Sequence, residues 1–379
     1  MGNPVRRLLK RICRRVLPDA SIIPHTKGCL RLYPQDGACW IVEGKGVNGD
    51  SSPVKLRWGQ HELAQTSWQK LRHDSDSLGF QFVFHHRLLS SLLSGGRITI
   101  ETGSEKWAVE PSLTYQRSGI PVTMSQEDPK TLLEQGHILG SNGRLQKPKN
   151  LDTDWIEKTL AHYNRARSVF KNLFGYELYV VGGTLLGWAR NRDIIAFDKD
   201  FDTAYVSDLT EPLEIQAEFA RIVKTLMQHG ERIVLVGHNK ARGPFLRRHY
   251  FFWFSDQGHQ LDIFPGMLID GCYRRPTFVQ TDLRREDLFP LRKEQLRGFE
   301  ILVPQNHEKK LAAVYGSGWR IPDPFWKKIL DPALKKFFRQ IRLSEDDLLE
   351  IAELSPVERD MIQSLVAQKK TNTTKGNES

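Results

Sequence analysis

Residues 178–206 decide the fold. Leu178-Tyr179-Val180-Val181 runs at once into Gly182-Gly183-Thr184-Leu185-Leu186-Gly187-Trp188-Ala189-Arg190. Soon after comes Ile194-Ile195-Ala196-Phe197-Asp198-Lys199-Asp200-Phe201-Asp202-Thr203-Ala204-Tyr205-Val206. The first run is short, apolar and rich in β-branched residues, which reads as a buried strand. Gly-Gly leading into a helix start offers free amides and the positive end of the helix dipole to an anion. Alone, that signal is common and weak. The third run reads as a strand carrying an aspartate at every second position. On that geometry Asp198, Asp200 and Asp202 share one face, and Phe197, Phe201 and Tyr205 share the other. Like charges along one strand face repel, so the arrangement becomes favourable with a divalent cation between the carboxylates. Mg²⁺ is a hard ion that takes one or two carboxylates plus substrate phosphates. A solvated edge strand is the competing reading, and the apolar flanks Ile194-Ile195 and Ala204-Tyr205-Val206 argue against it. Lys199 faces away from the acids.

Working outward, His249-Tyr250-Phe251-Phe252-Trp253-Phe254 and Gln260-Leu261-Asp262-Ile263-Phe264 read as two strands joined at Ser255-Asp256-Gln257-Gly258. Asp262 stands alone in an apolar strand, which is costly unless it is paired or bound to a metal. Taken by itself it fits a hydrogen-bonded structural residue at least as well. Upstream, Trp155, Ile156, Thr159, Leu160, Tyr163, Val169 and Phe170 give helical periodicity. Asp154 with Glu157 is the expected N-cap pair and Gly175 the terminator.

From Gly182 through Asp202 these residues resemble the LicD family of the nucleotidyltransferase superfamily. That family includes bacterial phosphocholine transferases and the animal proteins fukutin and fukutin-related protein. Its signature runs Gly-Thr-Leu-Leu-Gly, an Arg shortly after, then an acidic cluster ending Asp-x-Asp. The resemblance continues through Leu261-Asp262-Ile263-Phe264-Pro265, Asp287-Leu288-Phe289-Pro290, Gly298-Phe299-Glu300, Val303-Pro304, and Leu311 to Tyr315-Gly316 with Trp319 and Pro322. It covers residues 154–326. Two departures stand out: Lys199 lies where bacterial members usually carry Asp, and Ala196 where Pro is usual.

The resemblance implies a two-metal site in which Asp200, Asp202 and Asp262 are the catalytic carboxylates and hold Mg²⁺ or Mn²⁺. It implies that Gly182, Gly183 and Thr184 cradle a phosphate and that Arg190 contacts the donor, with a surface ion pair as the other reading of Arg190. Asp198 is a further ligand or a supporting partner. Arg242, Arg247 and Arg248 read as a solvated loop or as help for an anionic substrate. The implied reaction moves phosphocholine, glycerol phosphate or ribitol phosphate from a CDP-alcohol donor to a cell-surface glycan or a lipid-linked glycan acceptor. Nucleotide transfer to a small molecule, and a non-catalytic glycan-assembly protein with a relic site, are the competing readings.

The bulk properties suit this reading without selecting it. The chain has 379 residues, of which 39% are hydrophobic and 10% aromatic, enough for two or three packed domains. Cys13, Cys29, Cys39 and Cys272 sit at no metal-ligand spacing and read as reduced thiols. No apolar run reaches the roughly 18–20 residues of a membrane span, and the N-terminus lacks the features of a secretory signal. Arg6 breaks the myristoylation pattern, and Asn372-Thr373-Thr374 reads as a chance sequon. A net charge of +10 favours anionic partners. Residues 5–17, VRRLLKRICRRVL, set an apolar stripe against arginines and a lysine. Such a helix suits an anionic membrane surface, or alternatively docks on the protein itself; without interleaved aromatics, nucleic acid is not expected. The expected location is cytoplasmic, peripheral on the inner face of the membrane.

The expected class is α+β: a nucleotidyltransferase-fold catalytic domain, a mixed sheet flanked by helices, preceded by a small β-sandwich-like domain. The expected boundaries are an amphipathic helix over 1–24, a β-rich domain over 25–115 and a linker over 116–150. The catalytic domain follows over 151–330, a helical appendage over 331–368 and a disordered tail over 369–379. In the β-rich domain, strands are expected over 29–33, 40–43, 54–58, 80–84 and 97–101, with turns at Asp36-Gly37, Asn48-Gly49-Asp50 and Gly95-Gly96. His85 and His86 are expected on one strand, pointing to opposite faces. Helix starts are expected at Ser344 and Ser355.

Overall fold

A computed structural model of the chain describes residues 23–25, 28–36, 39–46, 53–71, 74–109, 128–235, 250–276, 279–326 and 332–354. The basic segment over 5–17, the loop holding Arg242, Arg247 and Arg248, the helix start at Ser355 and the polar tail lie outside the described residues. The architecture is α+β and divides into two compact units, residues 1–148 with 320–327 and residues 149–319 with 328–379.

In the first unit the strands are β1 (Ile23–His25), β2 (Gly28–Asp36), β3 (Cys39–Gly46), β4 (Val54–Trp58), β5 (His61–Thr66), β6 (Gln69–Leu71) and β7 (Asp74–His85). Helix α1 (His86–Gly95) follows, then β8 (Ile98–Thr102) and β9 (Glu105–Val109). The strands form two antiparallel sheets, ordered β1-β2-β3-β7-β6 and β5-β4-β8-β9. Alternate residues such as Val54, Leu56 and Trp58 are buried, and both sheets feed one core that includes Phe80, Phe82, Phe84, Ile100 and Trp107.

Two expectations are corrected here. His85 ends β7 and His86 begins α1, so the rings lie 4.5 Å apart instead of on opposite faces. The helix forms because Leu88, Leu89 and Leu92 recur at helical spacing and are buried, and the Trp58 indole donates to the Leu92 carbonyl at 2.7 Å. Residues 128–148, read as linker, carry α2 (Pro129–Glu134) and the hairpin β10 (Ile138–Leu139) with β11 (Leu145–Gln146). Asp128 caps α2 by accepting from the Thr131 amide.

The second unit begins with a 3₁₀ turn, Lys149–Leu151, and the long helix α3 (Thr153–Phe174). Its N-cap is Asp152, which accepts from the Trp155 amide at 3.2 Å, not the Asp154/Glu157 pair. Gly175 closes the helix in the left-handed conformation, as the sequence suggests. Then come β12 (Tyr179–Val180), α4 (Gly182–Asn191), β13 (Asp202–Ser207), α5 (Pro212–Gln228), β14 (Arg232–Leu235), β15 (Phe251–Phe254), β16 (Gln260–Ile269), β17 (Cys272–Arg275) and β18 (Val279–Gln280). The central sheet is ordered β12-β13-β16-β15-β14, with β17 and β18 continuing from β16. It is mixed: β13 and β16 run parallel, and the other pairs are antiparallel. The remaining elements are α6 (Arg285–Leu288), the hairpin β19 (Arg292–Leu296) with β20 (Phe299–Val303), α7 (His307–Tyr315), α8 (Pro332–Gln340) and α9 (Glu345–Leu354).

One side of the sheet packs a large core of α3, α4 and α5 residues around Phe201, Tyr205 and Trp253. The other side holds a smaller core with Tyr179, Ala204, Phe264, Tyr273, Leu288 and Leu302. Buried Tyr163 of α3 ties the layers together, donating to the Leu178 carbonyl at 3.0 Å and accepting from the Leu302 amide at 3.2 Å. The C-terminal helices are part of this unit instead of an appendage: Leu348 and Ile351 enter the main core, and Phe338 packs with Ile215 and Met267. Ser344 and Asp347 cap α9 reciprocally, with Asp347 in the acidic role of a capping box. Among the described residues no helix is long and apolar enough to cross a membrane.

Candidate active site

Two parallel strand ends set the site. In the β13–β16 register Asp202 lies directly opposite Asp262, and Asp202 is the first residue of its strand. The Asp262 amide donates to the Phe201 carbonyl at 2.9 Å, and the Thr203 hydroxyl donates to the Asp262 carbonyl at 3.1 Å. These bonds fix the backbone beneath the two carboxylates. On the side chain, Gln260 Nε2 donates to Asp262 Oδ1 at 2.7 Å.

The glycine pair at the head of α4 serves the same carboxylates. Gly182 has φ +53°, and a Cβ there would stand 2.0 Å from Asp202 Oδ2; a Cβ on Gly183 would stand 2.4 Å from Asp198 Oδ2. The Gly183 amide donates to Asp202 Oδ2 at 2.8 Å, and the Thr184 hydroxyl accepts from the Asp202 amide at 2.9 Å. The glycines thus admit acid side chains against the helix start. The Gly183 amide and the Thr184 hydroxyl, read from sequence as a phosphate cradle, position Asp202.

The acidic run is not one strand. Asp198 and Asp200 sit in a turn before β13, and the Asp198 amide donates to the Ile195 carbonyl at 3.0 Å. Contacts distant in sequence impose this shape. The Lys149 amide donates to the Ala196 carbonyl at 2.7 Å, and Arg297 forks onto Asp193 with contacts of 2.7 and 2.6 Å. The turn still delivers Asp198 to the cluster, through close approach to Gly183. Lys199 is exposed, and its amide donates to Asp198 Oδ1.

The electrostatics are those of crowded acids. Burial pushes the Asp198 carboxyl well above the usual range, and Asp202 and Asp200 push it further. Burial, then Asp200, raises Asp202 to about 6, against lowering by Arg275 and the Gly183 amide. Burial, then Asp202, raises Asp262 to about 8, with the Gln260 bond and Arg275 opposing. Among the described residues, no three His, Cys, Asp or Glu side chains are gathered as a ready-made chelate. Buried carboxylates crowded in this way, Asp198, Asp202 and Asp262, are the groups that could hold a divalent cation such as Mg²⁺, which takes one or two carboxylates and completes its shell with phosphate oxygens and water.

A pH test follows. A carboxyl whose folded pKa exceeds its unfolded value of 3.8 destabilises the fold as pH rises through the interval between the two. Without divalent cation, the melting temperature is expected to fall as pH rises from 3.8, with the Asp202 share complete near 6 and the Asp262 share near 8. Millimolar Mg²⁺ is expected to flatten that fall. A metal-free melting curve indifferent to pH over this range would remove the electrostatic argument.

Arg190 Nε donates to the Trp319 carbonyl at 2.6 Å. Its charge also acts on Tyr315, whose hydroxyl is raised first by burial and then by Asp202, so Arg190 belongs to the neighbourhood of the cluster. Sequence reasoning missed Gln260, Tyr315 and Arg275. Gln260 was within reach of it, since period two places it beside Asp262 on one face. Tyr315 and Arg275 come from elements whose approach only the fold reveals.

Carboxylates of two parallel strands thus pack against a glycine-opened helix start. Residues 175–306 match the family described as LicD/FKTN/FKRP, nucleotidyltransferase domain. This part of the chain is a LicD-family domain, and with it a transferase of phosphate-containing groups in general. The match contains Gly182, Gly183, Asp198, Asp200, Asp202 and Asp262 and stops short of the 154–326 span of the sequence resemblance. Among curated proteins none matches the chain.

Proposed function

We propose that the chain transfers a substituted phosphate, phosphocholine, glycerol phosphate or ribitol phosphate, from a CDP-alcohol to a hydroxyl of a cell-surface glycan or its lipid-linked precursor. The bond from the transferred phosphorus to the acceptor oxygen forms, the phosphoanhydride bond to CMP breaks, and the acceptor proton passes to a base. The observation that carries this reading is the Asp202–Asp262 pairing beside Gly182 and Gly183, inside the LicD match.

Asp200, Asp202 and Asp262 would hold Mg²⁺ or Mn²⁺, which when bound neutralises charge on the donor phosphates. Asp262, oriented by Gln260, would take the acceptor proton. Gly183 and Thr184 hold Asp202 in place through the transfer. Residues 5–17 would bring the chain to an anionic membrane surface carrying a lipid-linked acceptor.

The test is incubation of the full chain with Mg²⁺ and CDP-choline, CDP-glycerol or CDP-ribitol, scanned for CMP. CMP release from one of these with matching acceptor modification is expected, and Asp262→Asn is expected to abolish it. Pyrophosphate release from CTP with a small-molecule acceptor would replace this reading by nucleotide transfer. Absence of any thermal response to CDP with Mg²⁺ would mark a relic site.

A further inference from the structure

We propose that Arg275 is the phosphate-binding cation of the carboxylate site, an anion clamp that receives the diphosphate of the donor. The proposal rests on the reading of the site as one for phosphate transfer and names a residue which that reading does not use.

Placement comes first. Strand β17 pairs antiparallel with β16, with Met267 opposite Arg274. Period two puts Tyr273 and Arg275 on one face, and both are buried. Tyr273 and Phe264 belong to the smaller core, and Phe264 is two residues from Asp262 on the same strand face. The Arg275 guanidinium lies over the Phe264 ring, 4.6 Å from its centroid. The cation and the carboxylates therefore occupy the same side of the sheet.

The state of the guanidinium is the second observation. Arg275 is only 7% exposed, and its Nη1 is buried with no hydrogen-bond partner. Arginine stays charged when buried, and an uncompensated buried charge is strongly unfavourable. The nearby acids do not satisfy it. Asp202 is held by the Gly183 amide and Asp262 by Gln260, and no carboxylate among the described residues forms an ion pair with Arg275. Its field still reaches Asp202 and Asp262, lowering both carboxyls. Arg275 is thus close enough to be felt and too far to be paired.

A diphosphate suits that separation. Its oxygens can accept from the planar guanidinium fork while others share a cation with the carboxylates. Lys310, also buried, is a different case. Its Nζ donates to the Tyr179 hydroxyl at 3.1 Å and lies over the Tyr179 and Tyr273 rings at 4.5 and 4.3 Å. Burial, then Arg275, drives its amine well below the usual lysine range. Lys310 supports the tyrosines, and Arg275 keeps the charge.

The experiment measures binding of inorganic pyrophosphate and of CDP to the full chain by calorimetry at saturating Mg²⁺. Native protein is compared with Arg275→Met and Arg275→Lys. Arg275→Met is expected to weaken both ligands about tenfold or more, the loss appropriate to a charge-assisted hydrogen bond. Arg275→Lys, which keeps the charge without the fork, is expected to fall in between. The thermal response to Mg²⁺ alone should be retained in both variants.

A residue that merely offsets the acids would tighten Mg²⁺ binding on removal and leave pyrophosphate affinity untouched. That result overturns the proposal, as does a native protein that binds neither probe. Should Arg275→Met fail to fold, native pyrophosphate affinity in Arg275→Lys would overturn it equally. Failure of the transfer reading looks different: no CMP from any CDP-alcohol, with Arg275-dependent pyrophosphate binding intact.

Discussion

Asp202→Asn is expected to lower CMP release by about a thousandfold or more, the scale on which losing a group that stabilises transition-state charge is felt, while leaving the protein more resistant to heat in metal-free buffer at pH 8. The two effects have one cause. Burial and Asp200 raise the Asp202 carboxyl to about 6, so at pH 8 the fold carries a charged group it disfavours. Asparagine removes the charge, and its side-chain oxygen can still accept from the Gly183 amide, which now donates to Oδ2 at 2.8 Å. Neighbouring Asp262 gains as well, since Asp202 is the largest charged contributor to its rise to about 8. Cation binding should suffer in parallel, with the Mg²⁺-induced thermal shift reduced or lost. Stability given up for function is a known property of active sites. CMP release by liquid chromatography and a melting curve in EDTA test both halves. An Asn variant that melts lower than native protein at pH 8, yet regains nothing with Mg²⁺, would show that Asp202 is structural.

What was legible in the sequence, and what was not, divides along the range of the interactions involved. The end of α3 at Gly175, the α9 cap at Ser344 and the apolar strand before Gly182 are set by neighbours a few residues away, and local rules recover them. Alternation marked Val54–Trp58 as a half-buried strand for the same reason. The acidic run misled because strict period two is also met by a turn. What bends residues 196–200 is the Lys149 amide on the Ala196 carbonyl and the Arg297 fork on Asp193, and neither partner is near in sequence. The glycines were read as an opening for phosphate, and their closest neighbours prove to be Asp202 and Asp198. Spacing shows that a backbone needs room without showing for what. Strand β5, His61–Thr66, alternates too weakly in polarity to announce itself; its buried Leu63 and Thr66 follow from pairing with β4. Arg275 is the extreme case, an arginine in a short polar strand whose burial depends wholly on what packs over it.

Gly182→Ala is expected to disable the site from a position that bears no functional group. The added methyl would stand 2.0 Å from Asp202 Oδ2, 2.6 Å from its Cγ and 3.0 Å from its Cβ. Contacts that short are repulsive, so the carboxylate or the helix start must move. The backbone adds a smaller cost, since φ is +53° at this residue and the left-handed region disfavours a Cβ by about 1–2 kcal/mol. Both terms act where β13 begins, so displacement shifts Asp202 relative to Asp262, and activity should fall at least about a hundredfold for a shift near 1 Å. A double-mutant cycle separates the terms. Asp202→Ala removes the atoms met at 2.0 and 2.6 Å, so in the double variant Gly182→Ala should lose most of its destabilising effect and retain only the backbone strain. The expected coupling in urea unfolding is about 0.5–3 kcal/mol, the range for residues in direct contact. Additive effects of the two substitutions would mean that Gly182 is needed for its backbone conformation alone, and that the approach of Asp202 to the helix start does not constrain this glycine.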